Sequence, residues 1–323
     1  MRSQFTPAAA AVNQAEFTEP LYAQTRRMQG WLLALCGLIA LLLLTFGLMF
    51  LTGERLLSHV ATPQGKQAVL PMRLLMGALA ALTLGYTVVV LLFIRQVWHL
   101  VLSLTQHLAA NSTAHLQALV RNARNTLVWI RVIQIVPIIL TVLMLALALV
   151  GDYLLPRTLG ETASDRTGLL DVLMNGVSLA LQSFILESVR RWLHAVSVSA
   201  RGSKSLIGPK LSAMNGWTIL WYLGLIGSLL GGLVGTFMLL RFPMTSVLRG
   251  RTGLDFTDLE LFSRFNGLLQ GGVILGLLLT VTLLVLLTLF RGYAAQVTTL
   301  LDERSVQARR QGQEARADAW ANT

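Results

Sequence analysis

The sequence predicts an all-α integral membrane protein with six transmembrane helices, arranged as three tandem helical hairpins, and three observations predict it. Hydrophobic residues make up 54% of the 323 and charged residues only 13%, where a soluble domain carries about 25% charged residues. The apolar residues gather into charge-free blocks close to the ~20 residues that cross a ~30 Å hydrocarbon core. Tryptophan, glycine and basic residues recur at similar distances along these blocks.

Taken in order, residues 1–27 hold Pro7, Pro20 and an alanine run but no sustained apolar period. They read as a disordered cytoplasmic tail. The membrane domain is expected over residues 28–301, with spans near Trp31–Leu51, Leu74–Ile94, Val132–Val150, Leu169–Val189, Trp217–Leu240 and Gly267–Phe290. The fourth is the poorest, because Asp171 and Glu187 bracket it. The first reads as a retained span and not a signal peptide, since a long segment precedes it and no cleavage site follows. Between spans two and three the helices are expected to continue past the membrane and to break near Ala110–Thr113, where Asn111-Ser112-Thr113 suits a helix cap. Residues 302–323 are expected to form a polar, solvated tail.

Six spans put both termini on one side. That side carries 17 basic residues against nine on the other, so the termini are expected in the cytoplasm. Arginine in place of lysine, with abundant Ala and Leu, suits the inner membrane of a bacterium.

Met28-Gln29-Gly30-Trp31 recurs as Met214-Asn215-Gly216-Trp217, with Trp129 between them. From each of these tryptophans to the glycine opening the next span (Gly77, Gly176, Gly267) the distances are 46, 47 and 50 residues. Each even span ends in a basic-aromatic pair, Arg95 with Trp98, Arg190 and Arg191 with Trp192, and Arg291 with Tyr293, where interfacial anchors belong. Hairpin units are expected at about 28–113, 114–213 and 214–301. This plan is similar to that of the mitochondrial solute carriers, but their Pro-x-acidic-x-x-basic signature is missing, since no acid follows Pro137 at that spacing. The likeness is of plan only.

Residues for chemistry are scarce. Cys36 is the sole cysteine, which excludes an intrachain disulfide and a cysteine-built metal centre. The histidines, His59, His99, His107, His115 and His194, lie outside the spans and form no metal-binding spacing with an acid. His107 and His115 are expected on a solvated face. Gly227-Ser228-Leu229-Leu230-Gly231 lacks the first glycine of a nucleophile elbow, and no span supplies a histidine base. Gly202-Ser203-Lys204-Ser205 lacks the Gly-Lys pair of a phosphate loop. No enzyme activity, cofactor or metal is expected.

Three residue sets remain. Asp171, Asn175, Ser178 and Gln182 step by four, three and four and so share one helix face. A central Asp costs ~2.5 to 3.5 kcal/mol on insertion scales, so this stripe should face protein or water. Interhelical hydrogen bonding is the first reading and a lined pathway the second. Gly227, Gly231 and Gly235 on span five, with Gly271, Gly272 and Gly276 on span six, suit close helix packing, within the chain or between copies. Arg190, Arg191, Arg201, Lys204 and Lys210 suit anionic lipid headgroups; nucleic acid is not expected, because no reading module is present. Glu187 is expected to pair locally with Arg190 and Arg191, and Arg131 to snorkel to the surface. The expected function is that of a structural or accessory membrane subunit acting through helix packing, in a homo-oligomer or with a membrane partner. The alternative is a permease for a small solute or ion using the span-four stripe.

Overall fold

Where the surroundings offer no hydrogen bonds, a chain must satisfy its own backbone, and apolar blocks with few prolines do so as helix. The computed structural model describes residues 7–58, 63–110, 112–154, 165–201, 207–241 and 259–321, and holds six helices and no strand among them. They are α1 (Pro7–Ser58), α2 (Pro63–Ala110), α3 (Thr113–Leu154), α4 (Asp165–Ser199), α5 (Ile207–Arg241) and α6 (Leu259–Ala321). Among the described residues α1, α2, α5 and α6 are long and apolar enough to cross a membrane.

The helices are longer than a membrane requires. The shortest have 35 residues and the longest 63, about 52 and 95 Å at 1.5 Å per residue, against ~30 Å of hydrocarbon. They overrun the apolar blocks chiefly at the end where α2 approaches α3 and α4 approaches α5. This end is called the basic end, because Arg26, Arg27, Arg95, Arg121, Arg124, Arg191, Arg201 and Lys210 are all exposed there. Consecutive helices pack against each other and α6 closes on α1, the α1–α6 and α2–α3 contacts being the most extensive. The pairing is antiparallel: Gln24 meets Leu289, and Thr45 lies beside Gly272.

Ser112 starts α3 as expected of a cap. Its Oγ accepts a hydrogen bond from the His115 amide at 3.2 Å, and its carbonyl accepts one from the Leu116 amide at 3.0 Å, satisfying donors that a helix start leaves free.

The core also lies at the basic end. Leu21 and Met28 of α1, Leu104 and Leu108 of α2, Leu119 and Ile130 of α3, Trp192 and Val196 of α4, Met214 of α5, and Tyr293 and Val297 of α6 form one buried cluster. The position three residues before each repeated tryptophan, Met28, Thr126 or Met214, is buried in all three cases.

At both termini helix extends into the segments expected as tails. Residues before 28 are not a disordered tail from Pro7 onward: α1 begins there, and Leu21, Met28 and Leu35 are buried at seven-residue spacing. That spacing keeps one face toward α6 and α2 over two turns per step. The polar C-terminal segment is likewise helical, as α6 continues to Ala321.

Candidate functional site

The basic end is stitched by polar side chains that cross between helices. The Tyr293 hydroxyl donates to the Val101 carbonyl at 3.1 Å and lies 3.1 Å from Thr105 Oγ1, which in turn lies 2.9 Å from Thr25 Oγ1. This chain joins α1, α2 and α6. Trp192 Nε1 donates to Thr298 Oγ1 at 3.2 Å, and its ring meets Phe290 edge-on with centroids 5.8 Å apart. Gln24 Nε2 donates to the Leu289 carbonyl at 2.9 Å, and Arg304 donates to the Leu108 carbonyl. Each such bond contributes about 1 kcal/mol net, and more is lost when one buried partner is stranded.

The residues expected as membrane anchors therefore need reassignment: Trp192 and Tyr293 are each 1% exposed and sit inside the core. The helices continue past their apolar blocks, so an aromatic at the end of a block meets neighbouring helices. His107 changes place for the same reason. Expected on a solvated face, it is buried, and its Nδ1 has no hydrogen-bond partner among the described residues. Burial lowers its pKa, with further lowering from Arg304 and then His115.

Between α3 and α4, Glu187 accepts two hydrogen bonds from Arg190, both at 2.7 Å, and one from Arg191 at 3.1 Å. Arg131 also reaches it at 3.9 Å. Local pairing of Glu187 was legible in the sequence; the third arginine was not. One carboxylate among three guanidinium groups leaves the cluster positive. Gln134 Nε2 donates to the Ser183 carbonyl at 3.0 Å and ties the same two helices.

The α4 backbone is helical through Asp171, Asn175, Ser178 and Gln182, so their spacing places them on one face. The side chains of the first three lie outside the described residues, and that of Gln182 is exposed. Among the basic set, Arg191, Arg201 and Lys210 are exposed, Arg190 is half-buried against Glu187, and Lys204 lies outside the described residues.

Within the chain α5 meets α6 at Gly232, where a Cβ would stand 2.6 Å from Leu277 Cδ2. At Gly227, Gly231, Gly235, Gly271 and Gly276 a Cβ would meet nothing within 4 Å, and at Gly272 only Thr45 at 3.9 Å. Successive helical residues are rotated by about 100°, which separates Gly232 from the four-residue series beside it. A second close approach escaped the sequence reading: at Gly292 of α6 a Cβ would lie 2.5 Å from Gln24 Nε2. Nearer the open faces, Arg291 donates to Asn215 Oδ1 at 3.3 Å and stacks over the Tyr222 ring at 5.7 Å.

Among the described residues no three His, Cys, Asp or Glu side chains gather where they could hold a metal. A cavity of about 40 Å³ lies among Val97, Leu104, Ile130, Trp192, Phe290 and Tyr293. It has room for a water or two, but an apolar lining gives water no partners.

These features define a class: an all-helical membrane protein whose buried core is at one end of its helices. No family model, no curated protein and no solved structure matches the chain.

Proposed function

We propose that the chain is a structural or accessory subunit of a bacterial cytoplasmic membrane, crossing it six times with both termini in the cytoplasm and acting through helix packing and partners. The division of the bundle carries this reading. Polar contacts and the core occupy the basic end, whereas the apolar blocks leave Leu44, Leu84, Ile139, Leu230 and Leu278 facing outward. Such side chains suit lipid or another helix. The open glycine face of α5 supports a partner helix as the neighbour, because small residues let backbones approach where lipid supplies no hydrophobic drive. The surplus of arginine at the basic end supports the orientation.

Reporter fusions test the topology. Fusions at both termini and at Ala109 and Gly208 should report cytoplasm, and fusions near Gly65, Gly160 and Gly253 the opposite side; a cytoplasmic result at Gly160 removes the fourth crossing. Partner binding is tested by Gly231→Leu, which should shrink the complex extracted in mild detergent while leaving the isolated chain folded. A complex of unchanged size sinks the subunit reading at that face. Single cysteines at Asn175 and Gln182 in a Cys36→Ser background test the permease reading: reaction of both with a water-soluble thiol reagent would put a small-solute pathway in its place.

A further inference from the structure

Phe184 of α4 stacks on Trp217 of α5 with ring centroids 5.3 Å apart and planes 10° from parallel. Phe184 is 57% exposed, so the pair forms an aromatic plate on the outer surface of the α4–α5 groove. Residues seven apart on a helix are two turns apart, on nearly the same face and ~10.5 Å along the axis. Counting seven toward the basic end from Phe184 reaches Arg191, and from Trp217 reaches Lys210. Both are exposed, and the Arg191 side chain is 64% exposed even while bonded to Glu187. Glu187 is shared with Arg190 and with Arg131 of α3, so one carboxylate does not neutralise Arg191 by itself. The groove thus carries an apolar plate at one level and two cations two turns farther out, on helices that are antiparallel neighbours.

We propose that the α4–α5 groove binds an anionic phospholipid, its acyl chain against the Phe184–Trp217 plate and its phosphate between Arg191 and Lys210. The site rests on the membrane reading of the chain. The match is one of charge and of amphiphilic order. Aromatic residues favour the membrane interface, a phosphate is recognised by arginine and lysine, and the two-turn offset places a headgroup above the chain it belongs to. Free phosphate has no use for the plate.

The test uses the full chain purified in a neutral detergent, with bound lipid counted by native mass spectrometry during titration with phosphatidylglycerol or phosphatidylcholine. Phosphatidylglycerol should be retained in preference to phosphatidylcholine. The Arg191→Gln and Lys210→Gln double variant should bind it about thirtyfold more weakly, as expected for the loss of two basic contacts near a membrane surface. Arg26→Gln with Arg27→Gln, two exposed positions on α1, should bind like the wild type. Phe184→Ala should also weaken the lipid, and inorganic phosphate should not displace it from the wild type. Equal retention of the two lipids by the wild type overturns the site, as does an equal loss in the α1 control, which would mean diffuse attraction to the basic end. Displacement by inorganic phosphate with no effect of Phe184→Ala also overturns it, in favour of a simple phosphate site. The wild-type comparison and Phe184→Ala decide the matter even if the double variant does not fold. Because the assay needs neither insertion nor a partner, its failure is separate from failure of the topology reporters or of Gly231→Leu.

Discussion

Trp192 and Leu230 are both large apolar residues within long helices, yet Trp192 is 1% exposed and Leu230 is 59% exposed. The first lies at the basic end and the second in an apolar block of α5. Around Trp192 the side chains interlock and cross-bond, whereas on the Leu230 face of α5 Leu223, Ile226, Leu233 and Val234 are exposed as well. Packing follows from what surrounds each region. Outside a membrane, apolar surface gains about 25 cal/mol per Å² on burial, so helix extensions that reach water must find partners. Inside lipid that drive is absent, and an outward leucine costs nothing.

Substitutions in the two regions should differ in cost. The largest effect is expected from Trp192→Ala, which should cost about 3 to 5 kcal/mol by removing a buried aromatic ring, against about 0.5 kcal/mol or less for Leu230→Ala. Unfolding in detergent by heat or denaturant measures both, and equal losses would erase the distinction between the two regions. Next comes Gly292→Leu, expected to cost about 1 to 3 kcal/mol because a side chain there displaces the Gln24 amide and breaks its hydrogen bond to the Leu289 carbonyl. Gly231→Leu, on an open face, should leave the stability of the isolated chain unchanged. Tyr293→Phe keeps the ring and deletes the hydroxyl bonds to Val101 and Thr105, so a loss near 1 kcal/mol is expected; no loss would show that packing alone holds the basic end.

The smallest effect concerns pH. His107 has its pKa lowered by burial and by Arg304 and His115. The unfolded chain, with an ordinary value of 6.5, therefore binds protons more readily than the folded one, and stability rises with pH in that window. His107 should add no penalty above about pH 6.5, and stability should decline as the pH falls through and below it. A His107→Leu variant should flatten that decline. An identical pH profile for variant and wild type would remove His107 from the account.

Much of the architecture was legible in the sequence for reasons that can be named. Charge-free blocks marked the helices, and Ser112 marked the break between α2 and α3, since a serine ahead of a helix has a local bonding role. Glu187 with Arg190 and Arg191 was legible because residues three and four apart on a helix are neighbours. Leu21, Met28 and Leu35 also carried a readable seven-residue spacing, but the prolines and alanines around them hid it. The bonding of Gln24, Thr25, Thr105 and Tyr293 had no such signal: each is an ordinary residue on its own helix, and its partner is 80 or more positions away.

By itself, then, the order of residues determined an all-helical chain apolar enough for a membrane, with its basic residues gathered toward one end, because composition, helical period and charge act locally along the chain. It took the packing of the helices to place the core at that basic end, to turn Trp192, Tyr293 and His107 inward, and to set the close approaches at Gly232 and Gly292. These outcomes depend on which helix faces which and at what rotation, and a shift of one residue turns a helix by about 100°. No local pattern records that angle; it is set by the mutual fit of helices whose contacting residues stand far apart in sequence.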